Sequence, residues 1–598
     1  MVRLAAEQWN IPENEIDANF DPLLMLIFDA VASEIEGVGY QIRDIQNTLL
    51  DELSSLMLPE ALLRTKPASC ILSAQPNEKT GFIKKENNFS TIAQTQKVGE
   101  PVQEKELNFT PIGNVKLFNA SLGYLRVGDK VFKHTTEGRK ITARDEQRTN
   151  AMVNEVHFTI HCEEAMESLE GMQLFFDLRN HSEANNFYFT LQSSILTINN
   201  NPAVFTKGYY ENEQFAPDIK DAFNRKNNYS RKIQKEIASM YADQFITIGE
   251  TPVQANTASH AILDGLPEKL TAEMLLPNVV FCTLQLSRPF DIEVLDRLQV
   301  GINAFPAINR KLEHITYKTD KWINIIPLPV KNSYLDINSI EVLGGAQYKI
   351  QPAGHEDKVT EGEAIVRTSR VAKRSSRDVR NTIKSLLEAI RDESAYFSRV
   401  SNDFVTSRLA EISRILTRLE DQVQLSKDEK QAFHYVLLKA KNAGEHVQVS
   451  YWTTDPEDAG YVKSNAPFKP VQHTLTAING TFSLTSAMGG LESLSEYSQK
   501  QMLVRQLSSR GKIISIEDVK LLCYELFGSK LKQAAIQKKM KVMPGNSGGI
   551  ARVINITLTV NKNDYPENEL IYLQKLLRYQ LDTNAGFMFP FEIEVEEV

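Results

Sequence analysis

Residues 21–59 read DPLLMLIFDAVASEIEGVGYQIRDIQNTLLDELSSLMLP. Leu24, Ile27, Phe28, Val31, Ile35, Val38, Ile42, Ile45, Leu49, Leu53 and Leu56 recur at helical spacing, and from Ile35 to Leu49 the interval alternates three and four. That alternation is a heptad seam. Asp21 offers an N-cap acceptor, Pro22 suits a first helical turn, and Pro59 stands where the helix should stop. A helix of roughly 35 residues is about 50 Å long, so the seam is predicted to lie against other long helices. Two partners fit: another subunit, which makes the helix an assembly element, or later helices of this chain in a hairpin. Gly37 and Gly39 each weaken the helix by about 1 kcal/mol relative to alanine, so packing has to hold it together.

Beyond Pro59 the period changes. Cys70-Ile71-Leu72-Ser73-Ala74-Gln75 opens a region of short alternating segments: Val115 to Val127, Val156 to His161, Leu174 to Leu178, and Phe187 to Ile198. Their aromatic and β-branched content, with turn residues such as Arg179-Asn180-His181-Ser182 between them, predicts an antiparallel sandwich. Phe82 to Glu106 is polar and reads as an exposed loop or hairpin, and polar Glu211 to Asn228 interrupts the sandwich. A second β-rich block runs from about Val279 to Ile350, with Leu284 to Phe290, Phe305 to Asn309 and Trp322 to Ile326 as its strands.

Helical spacing returns between Arg367 and Val423, through Ile383, Leu386, Leu387, Ile390, Phe397, Val400, Phe404, Leu409, Ile412, Leu416 and Leu419. This segment is the natural intramolecular partner for the first helix. Its opening carries Arg367, Arg370, Lys373, Arg374, Arg377 and Arg380 against Asp378 alone. That strip reads either as a docking site for an acidic partner surface or, more plainly, as a solvated loop before the helix. A strand at Val447 to Thr453 and a loop through Gln472 lead into a C-terminal α+β module. Within it, Ser515 and Asp518 mark a capping-box start to a helix through Phe527. A strand at Arg552 to Val560, a helix at Glu567 to Tyr579 and a strand at Phe589 to Val595 follow.

The predicted fold is thus α+β and multidomain. Residues 1–62 form a long helix within a helical bundle, 63–278 a β-sandwich-like domain and 279–365 a second β-rich block. Residues 366–446 form a helical segment packed on the first helix, and 447–598 the C-terminal module.

Composition excludes several function classes. The 598 residues are 42% hydrophobic and 24% charged, with 67 basic and 76 acidic side chains and a net charge of −9. That balance argues against a dedicated nucleic-acid binder, whose affinity rests on clustered positive charge. Cys70, Cys162, Cys282 and Cys523 have no paired spacing, so neither a disulfide framework nor a zinc site is predicted. No signal-peptide pattern and no apolar run of ~18 residues appears, which predicts a cytoplasmic chain that does not insert into a membrane.

Chemistry is sparse. Gly545-Asn546-Ser547-Gly548-Gly549 resembles the nucleophile segment of chymotrypsin-like proteases, but it follows a stretch from Ile516 to Met540 that is mostly helical in pattern. The nearest upstream histidine, His473, sits in a polar loop. Without a base and an orienting acid the serine has no activation, so the segment reads as a glycine-rich turn between helix and strand. His157 and His161 share a strand face but lie about 13 Å apart, too far to ligate one ion. No catalytic, cofactor-binding or metal-ligating residue is predicted.

The order of elements resembles the TssF family, wedge subunits of the bacterial type VI secretion baseplate. The resemblance is carried by the long helix ending Leu58-Pro59, the strand entry Lys66-Pro67-Ala68-Ser69-Cys70-Ile71-Leu72 and the exit Gln75-Pro76. In the middle, Gln173 to Leu178 with Phe187 to Ile198, Phe305-Pro306-Ala307-Ile308-Asn309 and Gly345 to Pro352 are similar to the family's strands. The segment Ser508 to Phe527, with the strand-helix-strand after it, is similar to phage baseplate wedge modules. The resemblance implies a structural protein without cofactor. Two copies would join one TssG-like subunit in a wedge, in contact with a TssK-like adaptor, a TssE-like sheath initiator and the spike hub. Its place would be the cytoplasmic face of the inner membrane. A wedge protein of a phage tail or an extracellular contractile particle is the alternative. A β-sandwich enzyme or carbohydrate-binding protein is a more distant one.

Overall fold

The computed structural model describes most of residues 65–209, 229–351, 359–368, 434–491 and 512–597, with Ile27, Ala30, Val31, Ala32, Ile35, Ile412 and Met502. Within these residues the chain is mostly β. Six strands close a barrel in the order Ser69–Pro76, Ala304–Asn309, Gln103–Pro111, Asn88–Thr95, Pro467–Val471 and Thr476–Ser483. Closure leaves no strand edge unpaired. Aromatic rings from four of these strands meet inside: Phe89 lies 6.0 Å from Phe305, and Phe109 meets Phe468 edge-on at 5.4 Å.

Two sandwiches are inserted in sequence between barrel strands, one before and one after Ala304–Asn309. In one, Asn201–Ala203, Ile195–Ile198, Val279–Asp291, Met152–Cys162, Ala120–Val127, Lys130–Thr135 and Gly138–Arg144 form a seven-stranded sheet. Its Phe158, Ile160 and Leu284 share a core with Phe176, Ile246 and Val300, from the four-stranded sheet Phe205–Lys207, Phe245–Ile248, Gln173–Asp177 and Gln299–Ile302. In the other, Lys311–Lys318, His446–Thr454 and Ser333–Val342 face Ile323–Leu328, His434–Lys439, Glu363–Thr368 and Lys349–Gln351 across Ile340, Val449, Ile326 and Leu438. The expected antiparallel sandwich architecture is present. The expected N-terminal helical bundle is not seen among the described residues.

Residues 512–597 form an α+β unit, whereas 446–483, expected to belong with it, supply strands to the second sandwich and the barrel. Leu531–Val542, Ile550–Val560 and Phe591–Glu597 form a three-stranded sheet, and helices Ile516–Phe527 and Glu567–Asn584 share its core through Leu522, Leu576 and Leu577. Ser515 and Asp518 make the capping box, each side chain accepting the other's backbone N–H. Two orphan donors of the helix end are satisfied at once.

Several expectations are corrected. Phe187 to Leu191 is helix, not strand, within Ala184–Leu191; Phe187, Thr190 and Leu191 are buried, the i, i+3, i+4 pattern of a helix face, and the Tyr188 hydroxyl anchors the turn on Asp177. Aromatic content suggested a strand, but the burial period decided. Phe82 to Glu106 does contain a hairpin, yet it is part of the barrel, and Phe89 and Ala93 are buried. The polar loop through Gln472 likewise contains a barrel strand, Pro467–Val471. Helix ends at Phe527 rather than continuing toward Met540, because Leu531 opens a strand. The glycine-rich segment at Gly545 therefore joins two antiparallel strands, with Val542 paired to Ile550, rather than a helix to a strand.

The ends of the expected helical segment 366–446 are strands too. Glu363–Thr368 and His434–Lys439 pair antiparallel, Thr368 opposite His434, so residues 369–433 leave and re-enter the sheet at neighbouring positions. The barrel also takes strands from either side of the expected divisions at 278, 365 and 446.

Candidate assembly interface

The barrel brings together segments that are remote in sequence. Ser69 through Ser73 pairs antiparallel with Ile308 through Ala304, so the Lys66 to Leu72 entry and the Phe305 to Asn309 segment become neighbours. Gln173–Asp177 pairs with Gln299–Ile302, the strand that precedes Ala304–Asn309. Asn303 makes the corner between them at φ 50°, a left-handed conformation that asparagine tolerates. Its amide accepts from the Phe118 N–H at 3.0 Å and donates to the Phe118 carbonyl at 2.7 Å.

Asn309 closes this junction on its other side. Its buried amide donates to the Asn108 carbonyl at 2.9 Å and accepts from the Asp455 N–H at 2.8 Å and the Thr454 hydroxyl at 2.9 Å. Asp455 and Asp458 in turn hold Lys105 from the barrel. Burial by itself would lower the Lys105 pKa, but the two aspartates together keep it above the ordinary lysine value of 10.5. Next along the chain, Arg310 is fully buried. It donates to Thr110, to the Pro111 carbonyl at 3.0 Å and to Ser230 at 3.1 Å, and lies 4.1 Å from the centre of the Trp452 ring. Burial pulls its pKa down and Glu86 opposes that shift. The charge is retained because its donors are satisfied.

A second buried polar group ties the C-terminal helix to the first sandwich. Lys575 donates to Gln244 at 3.2 Å; Gln244 donates to the Tyr188 hydroxyl at 2.8 Å, and that hydroxyl donates to Asp177 at 3.1 Å. Burial lowers the Lys575 pKa, while Asp177 and Asp243 oppose the shift. Burial foremost, then Asp177, pushes the Tyr188 hydroxyl far above its ordinary value, so it stays protonated and donates.

Of the predicted seam, Ile27, Val31 and Ile35 are described. All three are helical, four residues apart, and exposed at 46%, 41% and 55%. Among the described residues they are exposed apolar side chains at helical spacing. Leu24, Phe28, Val38, Ile42, Ile45, Leu49, Leu53 and Leu56 lie outside the described residues, as do Arg370, Lys373, Arg374, Arg377 and Arg380 of the basic strip. Arg367 lies on the strand Glu363–Thr368, opposite Tyr435, and not in a helix or loop.

His157 Nδ1 lies 2.9 Å from the Thr283 hydroxyl, and His161 is held below the ordinary histidine range by burial, with Lys133 adding to the effect. The four cysteines are free and buried. Burial raises Cys162 to about 11, so it stays a thiol at neutral pH. No group of His, Cys, Asp or Glu among the described residues is arranged to hold a metal ion. Ser547 and His473 lie outside the described residues. No described helix is long and apolar enough to cross a membrane.

Sequence reasoning missed Lys105, Asp455 and Asp458, whose partnership spans some 350 residues and leaves no local pattern. It also missed the helix Tyr229–Ala242, although Ile233, Ile237 and Tyr241 have helical spacing.

No known family model and no curated protein matches the sequence. Among solved structures, the chain is similar to one in the type VI secretion TssK-TssF-TssG baseplate subcomplex, with 11% identity over 96% of each chain and a TM-score of 0.44. It is also similar to one in the type VI secretion baseplate complex, with 11% identity over 99% of this chain and 94% of that one and a TM-score of 0.36.

Proposed function

We propose that this chain is a structural, non-catalytic wedge subunit of a type VI secretion baseplate. The observation that carries the reading is the meeting of its family-like segments. Lys66 to Pro76, Gln173 to Leu178 and Phe305 to Asn309 resemble the TssF family one by one, and the fold joins them through adjacent ladders around one corner. A chance likeness in three short segments has no reason to converge in space.

In this reading the seam helix docks a TssG-like subunit together with a second copy of the chain, in a two-to-one wedge. The exposed stripe Ile27, Val31 and Ile35 is apolar surface that helical partners would cover. The TssK-like adaptor, TssE-like sheath initiator and spike hub contact the assembled wedge at the cytoplasmic face of the inner membrane. The basic strip Arg370 to Arg380 would meet an acidic surface of one of them.

Co-expression with a TssG-like and a TssK-like subunit, followed by native mass measurement, tests this. A two-to-one complex is expected, and a chain that stays alone rejects the wedge. Substituting Ile35→Glu, Ile42→Glu and Leu49→Glu together should abolish co-purification while circular dichroism keeps its β signal, because each unpaired buried charge costs several kcal/mol. An intact complex would reject the seam as the docking element.

A further inference from the structure

The last sheet has one long edge that is free of acids. Its strands lie in the order Leu531–Val542, Ile550–Val560, Phe591–Glu597, and no other described strand pairs with the outer side of Leu531–Val542. The ladder to the middle strand runs without a shift from Gln533 opposite Thr559 to Val542 opposite Ile550. An antiparallel ladder uses the N–H and C=O of every second residue, so the alternate ones point outward along this edge. The charge there has one sign: residues 528–563 contain no acid, in a chain with 76 acidic side chains and a net charge of −9.

Alternation sets the two faces of the strand. Ala534 and Ile536 turn toward the helices and join their core, so Lys538 and Met540 point to the same side farther along. Arg552 lies opposite Met540 and shares that side. Here the sheet has outrun its third strand, which begins at Phe591 opposite Ile554. Lys538, Met540 and Arg552 are all exposed, Met540 at 69%. Lys539, on the other face, lies 3.7 Å from Glu594, whereas Lys532, Lys538 and Arg552 meet no carboxylate among the described residues.

Lysines on an edge strand ordinarily guard it against pairing with its own kind. That role accounts for Lys532 and Lys538 but not for their neighbours. Arg552 stands on the middle strand, away from the edge, and an exposed methionine between two cations offers contact area rather than protection. A free backbone edge takes a strand, and unpaired cations beside it reject a basic strand and favour an acidic one.

We infer that the edge Leu531–Val542 accepts an acidic, extended segment of another protein as a fourth strand of this sheet. Backbone hydrogen bonds hold the added strand, its carboxylates face Lys538 and reach toward Arg552, and the stems of its side chains cover Met540. The contact is separate from the helical seam, and the inference does not depend on the proposed function.

Titrating the full-length chain into a fluorescent peptide of alternating glutamate and threonine, followed by anisotropy, tests it. The wild type should bind, and binding should weaken at least about tenfold at high salt. The same peptide N-methylated at alternate residues keeps its charge but loses one row of backbone donors, and it should bind at least about tenfold more weakly. Lys538→Glu with Arg552→Glu should lose the glutamate peptide and gain a lysine-threonine peptide of the same length. That exchange separates lost recognition from lost folding. A wild type that ignores the glutamate peptide, an N-methylated peptide that binds as well as its parent, or a double variant that fails to exchange partners would each overturn the inference. So would tighter binding of a single-stranded DNA oligonucleotide than of the peptide, which would assign the edge to a polyanion.

Discussion

At the scale of single residues, the barrel junction depends on side chains whose hydrogen bonds have no substitute. The Asn309 side chain satisfies three groups from two separate segments, and Asn309→Ala leaves the Asp455 N–H and the Asn108 carbonyl without that partner. A loss of about 2–4 kcal/mol is expected, visible as a lower urea midpoint followed by tryptophan fluorescence. Lys105 makes a prediction with a sign. Its pKa is raised in the folded chain, so the Asp455 and Asp458 pairs contribute fully below its unfolded value of 10.5. That contribution is lost as pH rises through the higher folded value. Lys105→Met should therefore be less stable than wild type at neutral pH, and the two melting temperatures should converge only in strong alkali. Lys575 works the other way: its lowered pKa means that stability rises with pH between its folded value and the ordinary one. Asn309 was legible as the end of a family-like motif, but its partners were not, since they lie near residues 108 and 455.

Elements obeyed local chemistry where the local signal was strong. The capping box at Ser515 was readable from spacing alone, and it is there. Ser515→Ala should cost about 1 kcal/mol, read as a drop in melting temperature with the sheet signal unchanged. The hairpin between Ile195–Ile198 and Asn201–Ala203 turns on Asn199 and Asn200, at φ 48° and 67°. Both positive values mark the tight turn whose twist matches its strands, and Asn199 also accepts the Phe281 N–H. Asn199→Val should destabilise by about 1–2 kcal/mol or more, whereas Asn199→Gly should cost less, a ranking that thermal unfolding can check. Where propensity and packing disagreed, packing prevailed. Phe187 to Leu191 is aromatic enough for a strand, yet Phe187, Thr190 and Leu191 are buried at intervals of three and one, a pattern a helix gives and a strand does not.

For the whole molecule, the barrel makes distant parts of the chain mutually necessary. Residues 63–278 supply the strands Ser69–Pro76, Asn88–Thr95 and Gln103–Pro111 but lack Ala304–Asn309, Pro467–Val471 and Thr476–Ser483. Expressed alone, 63–278 should expose open edges and half a core, and should aggregate on size-exclusion chromatography. A monodisperse, cooperatively melting fragment would contradict this. The same logic applies to the junction around Lys575, where the last helix meets the first sandwich through Gln244 and Tyr188. Among the described residues, the apolar side chains of Ile27, Val31 and Ile35 stay exposed outside this closure.

The sequence by itself determined the periods: many of the stretches that are strands with one face inward, and where the helix at Ser515 begins. These follow from side-chain alternation and capping, which act within a few residues. Only the tertiary structure decided that strands from residues 69 to 483 close one barrel, that Lys105 belongs to Asp455, and that Phe187 lies on a helix. Strand order and burial depend on contacts between residues hundreds of positions apart, and no local pattern encodes which strand a given edge will meet.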